Sequence, residues 1–266
     1  MTPIEHVPPK EMAGRLAEGI DWREVVAWVS DLPPISHIAT QAIRVVEDPN
    51  SNSEDLAKII SMDPALAARV LKIANSAMFS RQREITTISK AVIIIGFKAL
   101  KGIAIAATLR QMASDSGALQ KMVWSNSICS ALSAAILARK LKKPYHDEVF
   151  VLGLLHNLGQ IVLLAQKETN KKYKDVLNRI KEFNEDYVTA EQSSLGFNHA
   201  LIGALVAKKW NFSDETCQII LHYKDPFEEV SVEGLLEEKT LIVQLAELFS
   251  HAAGSGSPEG YPDQSS

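Results

Sequence analysis

Apolar residues recur at spacings of three and four along almost the whole chain, and helix-breaking or helix-capping residues cut that pattern into short lengths. Such a pattern leaves little room for anything but helices. Trp22, Val25, Val26 and Val29 mark one amphipathic helix, stopped by Leu32-Pro33-Pro34 because the residue before a proline resists the α conformation. A second helix is predicted through Ile38, Ala42, Val45 and Val46, ending at Asp48-Pro49-Asn50. Ser51 or Ser53 is expected to cap a third, through Leu56, Ile59 and Ile60, with Ser51 and Glu54 at capping-box spacing. Asp63-Pro64 reads as a helix start, with the acid as N-cap and proline at the first helical position. Short helices follow over 87–95, with Gly96 at its end, and over 100–112.

Beyond a small, polar stretch at 114–117 the pattern resumes. Helices are predicted over 119–140, 147–165, 171–185, 198–210, 214–223 and 235–252. No period-two alternation persists and no hairpin signal appears. The β-branched run Val92-Ile93-Ile94-Ile95 is the best strand candidate, but the capping Thr87 and the 88-92-95 spacing favour a buried helix. The fold class is therefore all-α: a multi-helix bundle with an N-terminal helical part over 21–115 and a second helical part over 116–253. Residues 1–20 are expected to be a flexible lead. Residues 254–266, rich in Gly, Ser and Pro, are expected to be a disordered tail.

Bulk composition removes several function classes. A net charge of −4 argues against a nonspecific nucleic-acid binder. Lys167, Lys171, Lys172 and Lys174 are followed by acids and read as a solvated helix face. Cys129 and Cys217 have no zinc-finger spacing and suit a reducing cytoplasm. No signal peptide is evident at the start, and the longest unbroken apolar runs are far too short to cross a bilayer, so no membrane role is expected.

Chemistry concentrates in the second helical part. Leu155-His156-Asn157-Leu158 differs by one letter from a metal-binding His-Asp pair; neutral Asn brings no charge and is a weak ligand. His199 and His222 stand on two later apolar helices. Each alone reads as a hydrogen-bonded core histidine. Three together make a candidate metal centre of zinc, iron or manganese.

Many ordered motifs carry a resemblance. In the first half they are Leu32-Pro33-Pro34, Ser53-Glu54-Asp55-Leu56-Ala57, Asp63-Pro64-Ala65-Leu66, Leu71-Lys72-Ile73-Ala74-Asn75-Ser76 and Ile88-Ser89-Lys90-Ala91. In the second they are Trp124-Ser125-Asn126-Ser127, Phe150-Val151-Leu152-Gly153-Leu154-Leu155-His156-Asn157-Leu158-Gly159, His199-Ala200-Leu201-Ile202-Gly203-Ala204, Trp210 and His222. Over about residues 25–250 the chain resembles an HDOD domain, the HD-related output domain of bacterial signalling proteins. The resemblance implies an HD-domain-like helical bundle descended from metal-dependent phosphohydrolases. It also implies which letters have changed. Asn126 stands where the hydrolases carry a His, Asn157 where they carry the Asp, Gln160 where HD-GYP relatives carry a Lys, and Glu247 near a late metal-binding Asp. His156, His199 and His222 match ligand histidines. Gly260-Tyr261-Pro262 spells the GYP triplet, but nearly forty residues too late and in the tail. The expectation is a noncatalytic, cytoplasmic signalling module with no cofactor, which contacts a protein partner and has room for a nucleotide. The alternative is an HD-type phosphohydrolase with an atypical His-rich site.

Overall fold

The computed structural model describes residues 15–32, 40–41, 44–45, 51–75, 85–96, 117–227 and 232–255. The described residues form helices and no strand, in the order α1 (Trp22–Asp31), α2 (Ser53–Ser61), α3 (Pro64–Ala74), α4 (Ile88–Ile95), α5 (Ala118–Lys140), α6 (His146–Leu155), α7 (Leu158–Ala165), α8 (Lys167–Phe183), α9 (Tyr187–Leu195), α10 (His199–Lys209), α11 (Asp214–His222) and α12 (Leu235–Ala252). The predicted helix over 100–112, most of the one through Ile38 and Val46, residues 1–14 and the Gly260-Tyr261-Pro262 triplet lie outside the described residues.

Local chemistry explains the starts and stops. Asp63 Oδ1 accepts the Leu66 amide at 3.0 Å and Thr87 Oγ1 accepts the Lys90 amide at 3.2 Å, as those caps require. Gly96 closes α4 at φ 91, a left-handed value that favours glycine. Asn75 does more than mark an exit: its amide bonds the carbonyls of Leu71 and Ile85 and accepts the Ile85 amide, tying the approach to α4 onto the end of α3.

One cap was misplaced by the sequence. Asn52, not Ser51 or Ser53, caps α2. Its Oδ1 accepts the amides of Glu54 and Asp55 at 2.8 and 3.1 Å, and Asp55 returns a bond to the Asn52 amide. The Ser51 hydroxyl instead donates to the Val45 carbonyl. Asn52→Ala should therefore cost about 1 kcal/mol in denaturant unfolding, and Ser53→Ala within about 0.5 kcal/mol of nothing.

The segment predicted as one helix over 147–165 is two, broken at His156-Asn157. By length and composition His146–Ala165 could cross a membrane, but 83% of it is buried inside the fold. The break comes from close backbone packing. A Cβ on Gly159 would lie 1.8 Å from the His199 carbonyl oxygen, so α7 meets the start of α10 backbone to backbone. One on Gly153 would lie 2.9 Å from Ala131 Cα, so α6 lies as close on α5. The chain turns between these two close contacts.

One apolar cluster runs from Val25, Leu56, Leu66 and Val70 through Leu155, Leu158 and Leu201 to Ile220, so both helical parts share a core. Lys209 strengthens that join: its ammonium donates to the Val29, Ser30 and Leu32 carbonyls at 2.9, 2.8 and 2.5 Å, at the end of α1. A second cluster joins α5, α6, α11 and α12 through Ala134, Val149, Ile219 and Val243. Residues 15–20, assigned on sequence to the flexible lead, are docked on the second part. The Ala17 amide donates to the Gly196 carbonyl at 2.9 Å, and Leu16 forms a single antiparallel bridge with Phe197. At the other end, Gly254 and Ser255 remain ordered, with the Ser255 carbonyl accepting from Asn126 Nδ2 at 3.0 Å.

Candidate functional site: a small polar chamber with its own cation

The break at residues 156–157, the start of α10, the end of α11 and the inner face of α12 converge on a chamber. Its walls are Val123, Asn126, Asn157, Gln160, Tyr187, His199, Lys224, Glu247 and His251, and its free volume is about 10 Å³. That is room for roughly one water molecule.

His156 is fully buried beside it. Its Nδ1–H donates to the Gly153 carbonyl at 2.6 Å, and its edge stands against the Tyr223 ring at a centroid distance of 5.0 Å. Nε2 has no hydrogen-bond partner and sits 3.9 Å from Glu247 Oε1. Burial dominates its ionisation and pushes the imidazole pKa down to about 4, against a pull upward from Glu247. A neutral ring that would be charged in the unfolded chain links folding to pH. Above the unfolded value of 6.5 both states are neutral; as pH falls toward 4 only the unfolded chain takes up the proton, and stability is lost. The full loss is roughly 3 kcal/mol. His156→Asn, whose amide can keep the Gly153 bond, should flatten unfolding free energy against pH in that window. An unchanged slope by urea titration would contradict the assignment. Glu247 loses its own contribution around and below its ordinary value of 4.5, so the His156 slope is read in the upper part of the window, above about pH 5.5.

Glu247 is the buried acid of the chamber. Burial would raise its carboxyl, but Lys224, a hydrogen bond from His251 and His156 outweigh this and hold it well below the usual carboxylate range. The Lys224 ammonium lies 2.7 Å from Glu247 Oε1, and His251 Nε2 lies 3.5 Å from the same oxygen.

Asn126 and Asn157 are bonded to each other. Asn157 Nδ2 donates to Asn126 Oδ1 at 2.7 Å, and Asn126 Nδ2 donates to Ser250 Oγ and the Ser255 carbonyl. From Asn157 the network runs on through Tyr223, whose hydroxyl is 3.2 Å from Asn157 Oδ1 and 2.6 Å from His199 Nε2. The phenol donates to Asn157 Oδ1, and the direction of its contact with His199 Nε2 follows the histidine tautomer. His199 Nδ1–H then donates to Glu191 Oε2 at 2.6 Å, and the His199 backbone amide donates to the same oxygen at 2.7 Å. Tyr173 donates to the other oxygen of Glu191, and Gln160 Nε2 donates to Tyr173 at 2.9 Å.

The sequence-derived ligand set is thus only partly assembled. His156, Asn126, Asn157 and Glu247 meet at the chamber, and His199 reaches its wall with both ring nitrogens engaged. His222 faces elsewhere: Nδ1 is 2.7 Å from Asp225 Oδ2 and 3.0 Å from Arg15 Nη2, and Nε2 is 3.1 Å from Gln218 Oε1. Its neighbour Tyr223 takes the inward position. Among the described residues no group of three or more His, Cys, Asp or Glu side chains is disposed to hold a metal ion. The donor set does not fit the dinuclear centre that HD hydrolases imply. Two ligand positions are neutral amides satisfied by each other, and an ammonium already sits on the carboxylate a cation would need.

Sequence reasoning missed Glu191, Tyr173, Lys224 and His251. For Glu191 a signal existed: it stands four residues after Tyr187 and one after Ala190, on the buried stripe of α9.

An all-helical bundle with a histidine-bearing chamber at a helix break agrees with the HD-related class that the sequence motifs imply. Comparison narrows this. The HDOD domain model matches residues 32–226, and the chain belongs to that family. A crystal structure of an HDOD domain protein of unknown function from Geobacter sulfurreducens is similar at TM-score 0.75 and 25% identity, covering 90% of this chain and 80% of that one. A Shewanella amazonensis SB2B protein, provisionally named a phosphohydrolase, is similar at TM-score 0.65 and 25% identity, covering 85% and 81%. An uncharacterized protein of Treponema pallidum (strain Nichols) is 25% identical over 206 residues; the match takes in 74% of this chain but only 39% of that longer relative.

Proposed function

We propose that this chain is a noncatalytic regulatory module of the HDOD type, acting in the cytoplasm through contact with a protein partner. The observation that carries the reading is the Lys224 ammonium on Glu247, beside the paired amides of Asn126 and Asn157. A hydrolytic metal site needs anionic ligands and an open coordination position for water. Here a side-chain cation supplies the positive charge, and the surrounding volume holds about one water. The polar groups of the chamber serve to fix the helices rather than to hold a reactant.

A cleft of about 510 Å³ shares Tyr187, Lys224 and Glu247 with the chamber. Its size suits a small ligand such as a nucleotide, and its floor would transmit occupancy to the Lys224–Glu247 pair.

The second reading is an HD-type phosphohydrolase using zinc, iron or manganese. It is favoured by the unpartnered His156 Nε2 beside Glu247 and by the name of the Shewanella relative. Metal content after purification without chelators, paired with phosphodiesterase and nucleotide-hydrolysis assays, separates the two. The regulatory reading expects substoichiometric metal and no turnover that His156→Ala removes. Stoichiometric metal with turnover abolished by that substitution would overturn it.

A further inference from the structure

Residues 15–17 lie across the second helical part as an extended strap. The Ala17 amide donates to the Gly196 carbonyl at 2.9 Å, Gln192 Nε2 donates to the Arg15 carbonyl at 3.1 Å, and Leu16 pairs with Phe197 in an antiparallel bridge. The acceptor edge exists because Gly196 ends α9 at φ 88, which turns the chain out of the helix before α10 begins. A Cβ at that glycine would lie 2.7 Å from Ile20 Cδ1, so the strap's continuation rests directly on the turn.

The strap's charge lands on one group. Arg15 Nη2 donates to Asp225 Oδ2 at 2.6 Å and touches His222 Nδ1 at 3.0 Å, while His222 Nδ1 lies 2.7 Å from the same carboxylate oxygen. Asp225 is also a wall of the cleft that leads to Lys224 and Glu247. The fit is incomplete, however. A guanidinium binds a carboxylate best through two parallel N–H bonds. Here a single nitrogen makes both contacts, and Arg15 Nε is buried with no partner. Leaving such a donor unsatisfied is costly. The strap therefore holds the chemistry of a good ligand in a geometry that another segment could improve on.

We propose that the Gly196–Phe197 edge and the Asp225 carboxylate form a receptor for an extended, arginine-bearing peptide segment, occupied in cis by residues 15–17. A partner segment would add to the edge by backbone pairing, set its apolar residue on Phe197 and place a guanidinium on Asp225. Displacing Arg15 would free the strap while leaving the His222–Asp225 hydrogen bond in place. The inference deepens the protein-contact reading given above by naming the surface and the class of partner.

The test uses the full chain and a peptide copy of residues 11–20 as the probe. In the variant carrying Arg15→Gln and Leu16→Asp the cis strap is weakened. The peptide should then give saturable amide shifts at Phe197 and Asp225, with an affinity about ten-fold or more above that for the wild-type chain. A peptide carrying Arg15→Gln, or a receptor carrying Asp225→Asn, should lose about ten-fold. No saturable shift in a folded, strap-weakened chain overturns the proposal, as does equal affinity in wild type and variant. Should that variant not fold, Leu16→Cys with Phe197→Cys gives a second route. The oxidised, locked chain should bind the peptide about ten-fold more weakly than the reduced one; equal binding overturns the proposal. Either failure leaves the noncatalytic reading standing, because that reading turns on metal content and hydrolysis.

Discussion

Gly159→Ala should be the most damaging alanine substitution among the described glycines, costing about 3 kcal/mol or more and lowering the thermal midpoint by about 10 °C. The added Cβ would stand 1.8 Å from the His199 carbonyl oxygen and 2.6 Å from the Gly203 amide nitrogen. Both are backbone atoms in the first half of α10, so no side-chain rotation relieves the clash. Relief requires α7 to move off α10, which takes Leu158, Leu201 and Ile202 out of contact and opens the shared core. Gly117→Ala is the control. Its Cβ would meet only Gln120 Oε1 at 3.6 Å, and its cost should stay below about 1 kcal/mol. Denaturant unfolding of the two variants beside wild type checks the contrast; similar midpoints would mean that the α7–α10 contact is looser than described.

Glu191→Leu should cost about 3–5 kcal/mol, for a different reason. The Glu191 carboxylate is fully buried and accepts from the His199 amide, the His199 imidazole and the Tyr173 hydroxyl. Leucine fills similar space but leaves three buried donors without an acceptor. Glu191→Gln keeps one acceptor oxygen, and its cost should be about half as large. Tyr173→Phe supplies the internal check. Alone it removes a satisfied donor and the acceptor of Gln160 Nε2; in the Glu191→Leu background the donor is already orphaned, and the cost of Tyr173→Phe should be about 1 kcal/mol smaller. A double-mutant cycle with no coupling would contradict the network.

How far the residues disclosed this arrangement depends on which physical signal each element carries. The last helix was legible to the residue, because its apolar stripe is long and glycines bracket it. The all-helical class was legible from periodicity, and HDOD membership from the ordered motifs. The break at His156-Asn157 was not. Its letters are as apolar as the helices on either side, and its cause lies in glycine contacts with α5 and α10, which no local pattern encodes. Helix α9 was missed because two of its three buried positions are Tyr187 and Glu191, so its inner face does not look apolar. His222 was grouped with the other histidines because it shares their setting. Consecutive residues on a helix differ by about 100° in direction, and that step points Tyr223 into the network and His222 toward Asp225. Lys224 lies in the turn after α11 and Glu247 on α12, and nothing in the spacing announces that they pair.

The exit of the chain beyond α12 has a mechanical consequence. The backbone does not leave the molecule where the helix ends. Gly254, at φ 80, turns it back so that the Ser255 amide bonds the Ser250 carbonyl and the Ser255 carbonyl takes a bond from Asn126. Asn126 is in turn bonded to Asn157, at the hinge between α6 and α7. A load pulling on the chain past Ser255 is therefore shared between α12, through the backbone and the Ser250 carbonyl, and Asn126 in the interior. The interior anchor of that tension is the bonded Asn126–Asn157 pair.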